Sequence, residues 1–155
     1  MRFTALTALA VLAVDQLSKV GVVFGLGLAR RQAIDVLPPF LNFRMAWNQG
    51  VNFGLFAGSE LSRWLFVAVA LAIATWVWFW VRREGQGRVA QISAGLLIGG
   101  ALGNVIDRLI YGRVADFLNM SCCGFANPYS FNIADVAVFL GALGLVFLTG
   151  RQNTP

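Results

Sequence analysis

Apolar residues gather into four long runs, at 3–23, 61–81, 89–110 and 131–148, separated by segments where charge, glycine and proline return. At 1.5 Å per residue, each run is about long enough to cross a hydrocarbon core roughly 30 Å thick, so four transmembrane helices are predicted. The fourth run is the shortest and requires some tilt or local thinning of the bilayer. Between the first two runs, Leu41, Phe43, Met45 and Trp47 alternate with Asn42, Arg44, Ala46 and Asn48, the period of a half-buried strand. Pro38-Pro39 marks its start, and Gly50 and Gly54 punctuate the stretch beyond its end. The pattern predicts a mainly α membrane protein with a small sheet between helices one and two. That sheet is expected to lie on the membrane surface with its apolar face towards lipid.

Composition supports lipid as the solvent. Of 155 residues, 58% are hydrophobic and 12% charged, where a soluble domain carries about 25% charged residues. A single integral-membrane domain over 1–155 is expected, without an appended soluble domain. The first run is interrupted by Asp15, Gln16 and Lys19 and lacks a small-residue cleavage site, so it reads as a retained helix and not a signal peptide. The net charge of +5 does not form a nucleic-acid patch: Arg82, Arg83 and Arg88 share one short polar break, and Arg2 and Arg151 lie at the termini. That density predicts cytoplasmic termini, with the 24–60 and 111–130 connections facing outward. Arg30, Arg31, Arg44, Arg63 and Arg113 fall on the outer side, so the orientation rests on density and not on a count. Trp76, Trp78 and Trp80, just before Arg82, read as an interfacial belt.

The candidate chemistry lies in two aspartates. Asp116 follows the third run and Asp135 begins the fourth, so a hairpin returns both carboxylates to one membrane face. Carboxylates near hydrocarbon are costly and usually functional. Two close ones cannot easily both ionise; one keeps its proton and polarises a carbonyl while the other activates water. This is aspartic-protease logic and needs no metal or cofactor. Histidine is absent, no serine sits in a G-x-S-x-G elbow, and Ser121 and Ser130 read as loop residues. Cys122 and Cys123 are adjacent, matching neither a CxxC pair nor a metal knuckle, and read as loop residues too. Gly95, Gly99 and Gly103 give the third helix a smooth packing face. Asn104, Asp107 and Arg108, at i, i+3 and i+4, are expected to project together from its outer end. Asp15 and Lys19 lie four apart on one helical face. Spacing alone leaves two readings of equal weight, a self-neutralising pair or a structural clamp beside a site.

Five blocks together resemble bacterial lipoprotein signal peptidase, signal peptidase II, an aspartyl protease family. They are Asp15-Gln16-Leu17-Ser18-Lys19, Asn48-Gln49-Gly50-Val51-Asn52-Phe53, Gly103-Asn104-Val105-Ile106-Asp107-Arg108, Val114-Ala115-Asp116-Phe117 and Phe131-Asn132-Ile133-Ala134-Asp135. The resemblance runs nearly end to end and implies four inner-membrane helices with an extracytoplasmic β-cradle. By it, Asp116 and Asp135 match the catalytic dyad, and Asn48, Gly50, Asn104, Asp107, Arg108, Asn132 and Ala134 fall among residues that line or brace the site. It also tips Asp15 and Lys19 towards the supporting role. The implied substrate is a diacylglyceryl-modified prolipoprotein, cut just before the lipidated cysteine. The implied setting is the cytoplasmic membrane, with the site near its outer face and the enzyme a monomer among membrane lipids. Asn52, where the family commonly has a small residue, and the Cys122-Cys123 loop depart from the pattern.

Two other classes compete. A proton-coupled carrier would use paired membrane carboxylates, but these sit at helix ends and no inverted repeat is visible. A structural subunit leaves the aspartates and the 104–108 cluster unexplained.

Overall fold

The structure, a computed structural model, describes residues 1–50 and 60–149. All four apolar runs are helical. Helix α1 spans Arg2–Lys19 and continues as a π-helical stretch, Val20–Gly25. A four-residue helix α2, Leu28–Arg31, comes after a turn at Gly27, whose φ of +71° suits glycine. Helices α3, Glu60–Arg83, and α4, Arg88–Tyr111, each have 24 residues. Helix α5, Ile133–Thr149, has 17 residues, or about 25 Å of rise. The first three spans are long and apolar enough to cross a membrane; α5 is apolar but shorter.

Helix α4 is the hub, packing against α1, α3 and α5. Its glycines permit the approach. A Cβ on Gly99 would sit 2.6 Å from the Ala8 carbonyl oxygen of α1, and one on Gly103 2.6 Å from Asp15 Oδ2. The opposite seam, against α5, is closed by Gly100 and Gly141. Ala8, Val77, Val81, Ala94, Leu97, Ile98 and Leu145 fill the space between helices. Large residues such as Leu17, Trp76 and Phe139 point outward and stay exposed, as lipid-facing positions do. The Met1 ammonium donates to Gln91 Oε1 at 2.8 Å, placing the N-terminus and the α3–α4 turn at one end of the bundle.

The sheet occupies the other end. Strands β1, Ala33–Leu37, β2, Leu41–Asn48, and β3, Val114–Met120, pair antiparallel in that order. Strand β2 has the predicted bounds, but its setting corrects the expectation in two ways. The third strand comes from the α4–α5 connection, so the sheet does not belong to the first connection alone. And the apolar face does not turn to lipid: Phe43, Met45 and Trp47 pack with Val23, Leu28, Ala115 and Phe117, over the extension of α1. Covering these side chains with protein removes the same apolar area from water and fixes the sheet on the bundle. Gly112, at φ +72°, ends α4 and turns the chain directly into β3.

Candidate functional site

Asp116 lies on β3, its neighbours Val114, Ala115 and Phe117 all buried. Asp135 lies in the first turn of α5. Asn132 joins them. It is the N-cap of α5: its Oδ1 accepts the Asp135 backbone N–H at 2.8 Å, and Asp135 Oδ2 accepts the Asn132 N–H at 3.2 Å. This reciprocal capping box locks both side chains. The Asn132 amide then donates to Asp116 Oδ1 at 2.7 Å and to Asn104 Oδ1 at 3.1 Å. Asn104 in turn donates to Asp135 Oδ1 at 2.8 Å. On the far side, Asn48 donates to Asp116 Oδ2 at 3.0 Å, and the Gly50 N–H fixes Asn48 through its Oδ1 at 2.9 Å. Each carboxylate is thus held by asparagine amides, which donate without adding charge.

Burial, together with the nearby Asp135 charge, pushes the Asp116 carboxyl up to about 7. The Asn48 and Asn132 hydrogen bonds and the Lys19 charge pull the other way but do not cancel the rise. At neutral pH Asp116 is therefore poised to hold a proton beside a second carboxylate.

Behind the pair sits a buried ionic clamp. Lys19 Nζ lies 2.8 Å from both Asp15 Oδ2 and Asp107 Oδ2. Both carboxylates also reach the backbone beyond it. Asp15 Oδ1 accepts the N–H of Ala134 at 3.0 Å, and Asp107 Oδ2 that of Ala115, also at 3.0 Å. Ala134 precedes Asp135, and Ala115 precedes Asp116. One lysine therefore lies between two carboxylates, each of which accepts the N–H of the residue just before one of the paired aspartates. Asp15 and Lys19 pair with each other, and Asp15 also reaches the backbone beside Asp135. Gln16, marked in the sequence only as a member of the first block, completes the clamp by donating to Asp107 Oδ1 at 3.0 Å and to the Gly103 carbonyl at 3.3 Å.

The expectation that Asn104, Asp107 and Arg108 project together is corrected. Consecutive residues turn about 100° around a helix, so Asp107 and Arg108 diverge. Asp107 faces the clamp, while Asn104 and Arg108 face a groove between α3, α4 and α5. Arg108 donates to the Asn104 carbonyl at 3.2 Å and stacks on Phe66, 5.1 Å from its ring centre. Asn104 lies seven residues before Tyr111, the last of α4, so the carboxylate it holds sits roughly 10 Å inside the helix end. Two cavities approach the pair, one at Asp116 and one at Asn104, which holds Asp135. The groove, about 340 Å³, is walled by Phe66, Val69, Ile73, Leu97 and Val138 and reaches Asn104 and Arg108. A polar cleft of about 280 Å³ runs past Asp116 between the end of β2 and residues 128–130. Tyr129 and Phe66 had no chemical signature in the sequence. Of the second block, Val51, Asn52 and Phe53 lie outside the described residues, and the Asn52 departure with them; so do Gly54 and Arg151.

Membrane-length apolar helices around a recessed, carboxylate-bearing site define an integral membrane protein of enzymatic character. The sequence model of the family described as signal peptidase (SPase) II matches residues 7–150. A lipoprotein signal peptidase of Methylorubrum extorquens (strain PA1) is 44% identical over 139 residues, covering 89% of this chain and 80% of that protein. One of Burkholderia vietnamiensis (strain G4 / LMG 22486) is 39% identical, with 90% and 82% covered. Among solved structures, a bacterial membrane enzyme determined by the in meso method at 1.9 Å superimposes with a TM-score of 0.82 at 26% identity, covering 99% of this chain and 96% of that one. The chain belongs to the signal peptidase II family and is a protease.

Proposed function

We propose that the chain removes signal peptides from diacylglyceryl-modified prolipoproteins by aspartic-protease chemistry, with Asp116 and Asp135 as the catalytic pair. The observation that carries this reading is the Asn132 amide, whose oxygen caps the Asp135 backbone and whose nitrogen donates to Asp116 at 2.7 Å, so one side chain links the two aspartates from separate elements. Protonated Asp116 donates to the scissile carbonyl. Ionised Asp135, steadied by the α5 N-terminus and Asn104, takes a proton from the attacking water. The tetrahedral intermediate collapses as the proton passes to the leaving amine.

On this reading residues 1–155 work as one peptidase unit that crosses the bacterial cytoplasmic membrane four times, α5 spanning by local thinning. The termini are cytoplasmic and the sheet is the extracytoplasmic cradle. The enzyme acts as a monomer among membrane lipids. The apolar groove reaches Asn104, which holds Asp135, and suits a signal helix arriving sideways within the bilayer. The bond cut is the one before the lipidated cysteine.

Asp116→Asn and Asp135→Asn test the assignment. Each leaves volume and hydrogen-bonding shape nearly intact but removes an ionisable oxygen. Purified variants should insert and fold, yet process a diacylglyceryl prolipoprotein about 10³-fold more slowly or worse. Turnover by either variant near the unmodified rate would reject the pair as catalytic.

A further inference from the structure

The two cavities differ in chemistry, and their order says how a chain crosses the site. The groove ends at Asn104, which holds Asp135. The polar cleft takes in Asp116 and lies between the end of β2 and residues 128–130. They meet at a throat: Gly50, on the cleft wall, lies against the ring of Phe66, on the groove wall. With φ +104° and that ring in the way of any Cβ, the position admits glycine alone. Arg108 stacks on the same Phe66 ring and also lines the groove.

We infer that the cleft is a binding site for the residues that follow the lipidated cysteine, which it takes in extended form and selects for small, uncharged polar side chains. The inference rests on the peptidase reading above. The apolar signal segment suits the groove, so the polar chain beyond the lipidated cysteine has the cleft as its way out. The cleft's lining fits such a guest. At about 280 Å³ it is small, Trp47 and Pro128 share its lining with Ala46, Gly50 and Ser130, and Asn48 and Gln49 offer amides. Among the described residues its one charged group is Asp116 itself. The outer wall is braced: Ser130 Oγ donates to the Arg44 carbonyl at 2.9 Å, and Asn119 Nδ2 donates to the Tyr129 carbonyl at 2.9 Å. Tyr129 is 77% exposed, supported at its backbone while its ring stays open. A rigidly based, open aromatic at the mouth of a polar cleft is a platform for a passing peptide.

The test compares two synthetic diacylglyceryl-modified signal peptides, one ending in an amide at the lipidated cysteine and one continuing for several small polar residues. The purified full-length enzyme should process the longer with a lower KM. Tyr129→Ala should raise the KM for the longer substrate about tenfold, leave that for the shorter in place, and so erase the difference. Tyr129→Phe, which keeps the ring, should restore it. A second series places tryptophan after the cysteine of the longer substrate, which should lose its advantage. Equal effects of Tyr129→Ala on both substrates, or a longer substrate indifferent to its downstream residues, would overturn the cleft assignment while leaving the peptidase reading intact. Failure of the unmodified enzyme to cut either substrate would instead overturn that reading.

Discussion

The pairing of the carboxylates depends on single atoms of neutral side chains. Asn48 stabilises the ionised form of Asp116 through one donated hydrogen bond, and Asn132 does so through another. The proton on Asp116 is nevertheless held up to about 7, because burial and the Asp135 charge disfavour a second negative group. Activity that needs this proton should fall about tenfold per pH unit above that point. Asn48→Ala removes a donor to the carboxylate, which favours the protonated form. The alkaline limb of kcat/KM should therefore move to higher pH, by about one unit. A limb that stays put or moves down would show that Asp116 does not carry the working proton. The two aspartates and their asparagines were legible from sequence because ionisable and amide groups are scarce in so apolar a chain. Their division of labour was not. The Asn132-to-Asp135 spacing is that of a capping box, but only the fold reveals that the same amide also reaches a residue on β3.

At the scale of elements, the site is as well placed as the helix seams are tight. Helices α1 and α4 are tied by Lys19 between Asp15 and Asp107, a buried arrangement that persists only while all three groups are present. Helix α5, which brings Asp135, is set by contact with α4 at Gly100, where a Cβ would lie 2.9 Å from Val138 Cγ2 and press on the Ala134 carbonyl. Gly100→Val should push the start of α5 outward, lowering stability by about 1–3 kcal/mol and cutting activity more than stability alone explains. Gly21→Ala, where an added Cβ meets nothing within 4 Å, should change little. Thermal unfolding in detergent alongside processing rates compares the two; equal tolerance at both glycines would mean the α4–α5 seam does not set the site. Glycine spacing and four apolar runs were readable in advance. Strand β3 was not, because it is buried on both faces and so lacks the alternation that exposed β2.

The whole molecule has two unlike ends. The Met1–Gln91 contact gathers the N-terminus with the α3–α4 turn at one, and the sheet with both proposed catalytic residues occupies the other. The arginine density placed the first end in the cytoplasm, against a raw count that favoured neither side, and distance along the chain could not show which outer arginines are already engaged. Arg44 is paired with Asp35 and Arg63 with Glu60, and Arg113 lies over Trp47, so several are engaged within the protein itself. The native cysteines make the orientation testable. Cys122 and Cys123 are both free and exposed at the sheet end. A membrane-impermeant maleimide should label them in right-side-out vesicles and not in sealed inside-out ones. The hydrogen bond to Cys123 pushes the Cys122 thiol up from its usual value, so labelling there should quicken as pH rises. With both replaced by serine, a cysteine introduced by Glu84→Cys, exposed in the α3–α4 turn, should show the reverse accessibility. If the native pair instead labelled only in inside-out vesicles, the sheet would face the cytoplasm. Substrates lipidated in the outer leaflet would then be out of reach of Asp116 and Asp135, and the proposed role would fall with the topology.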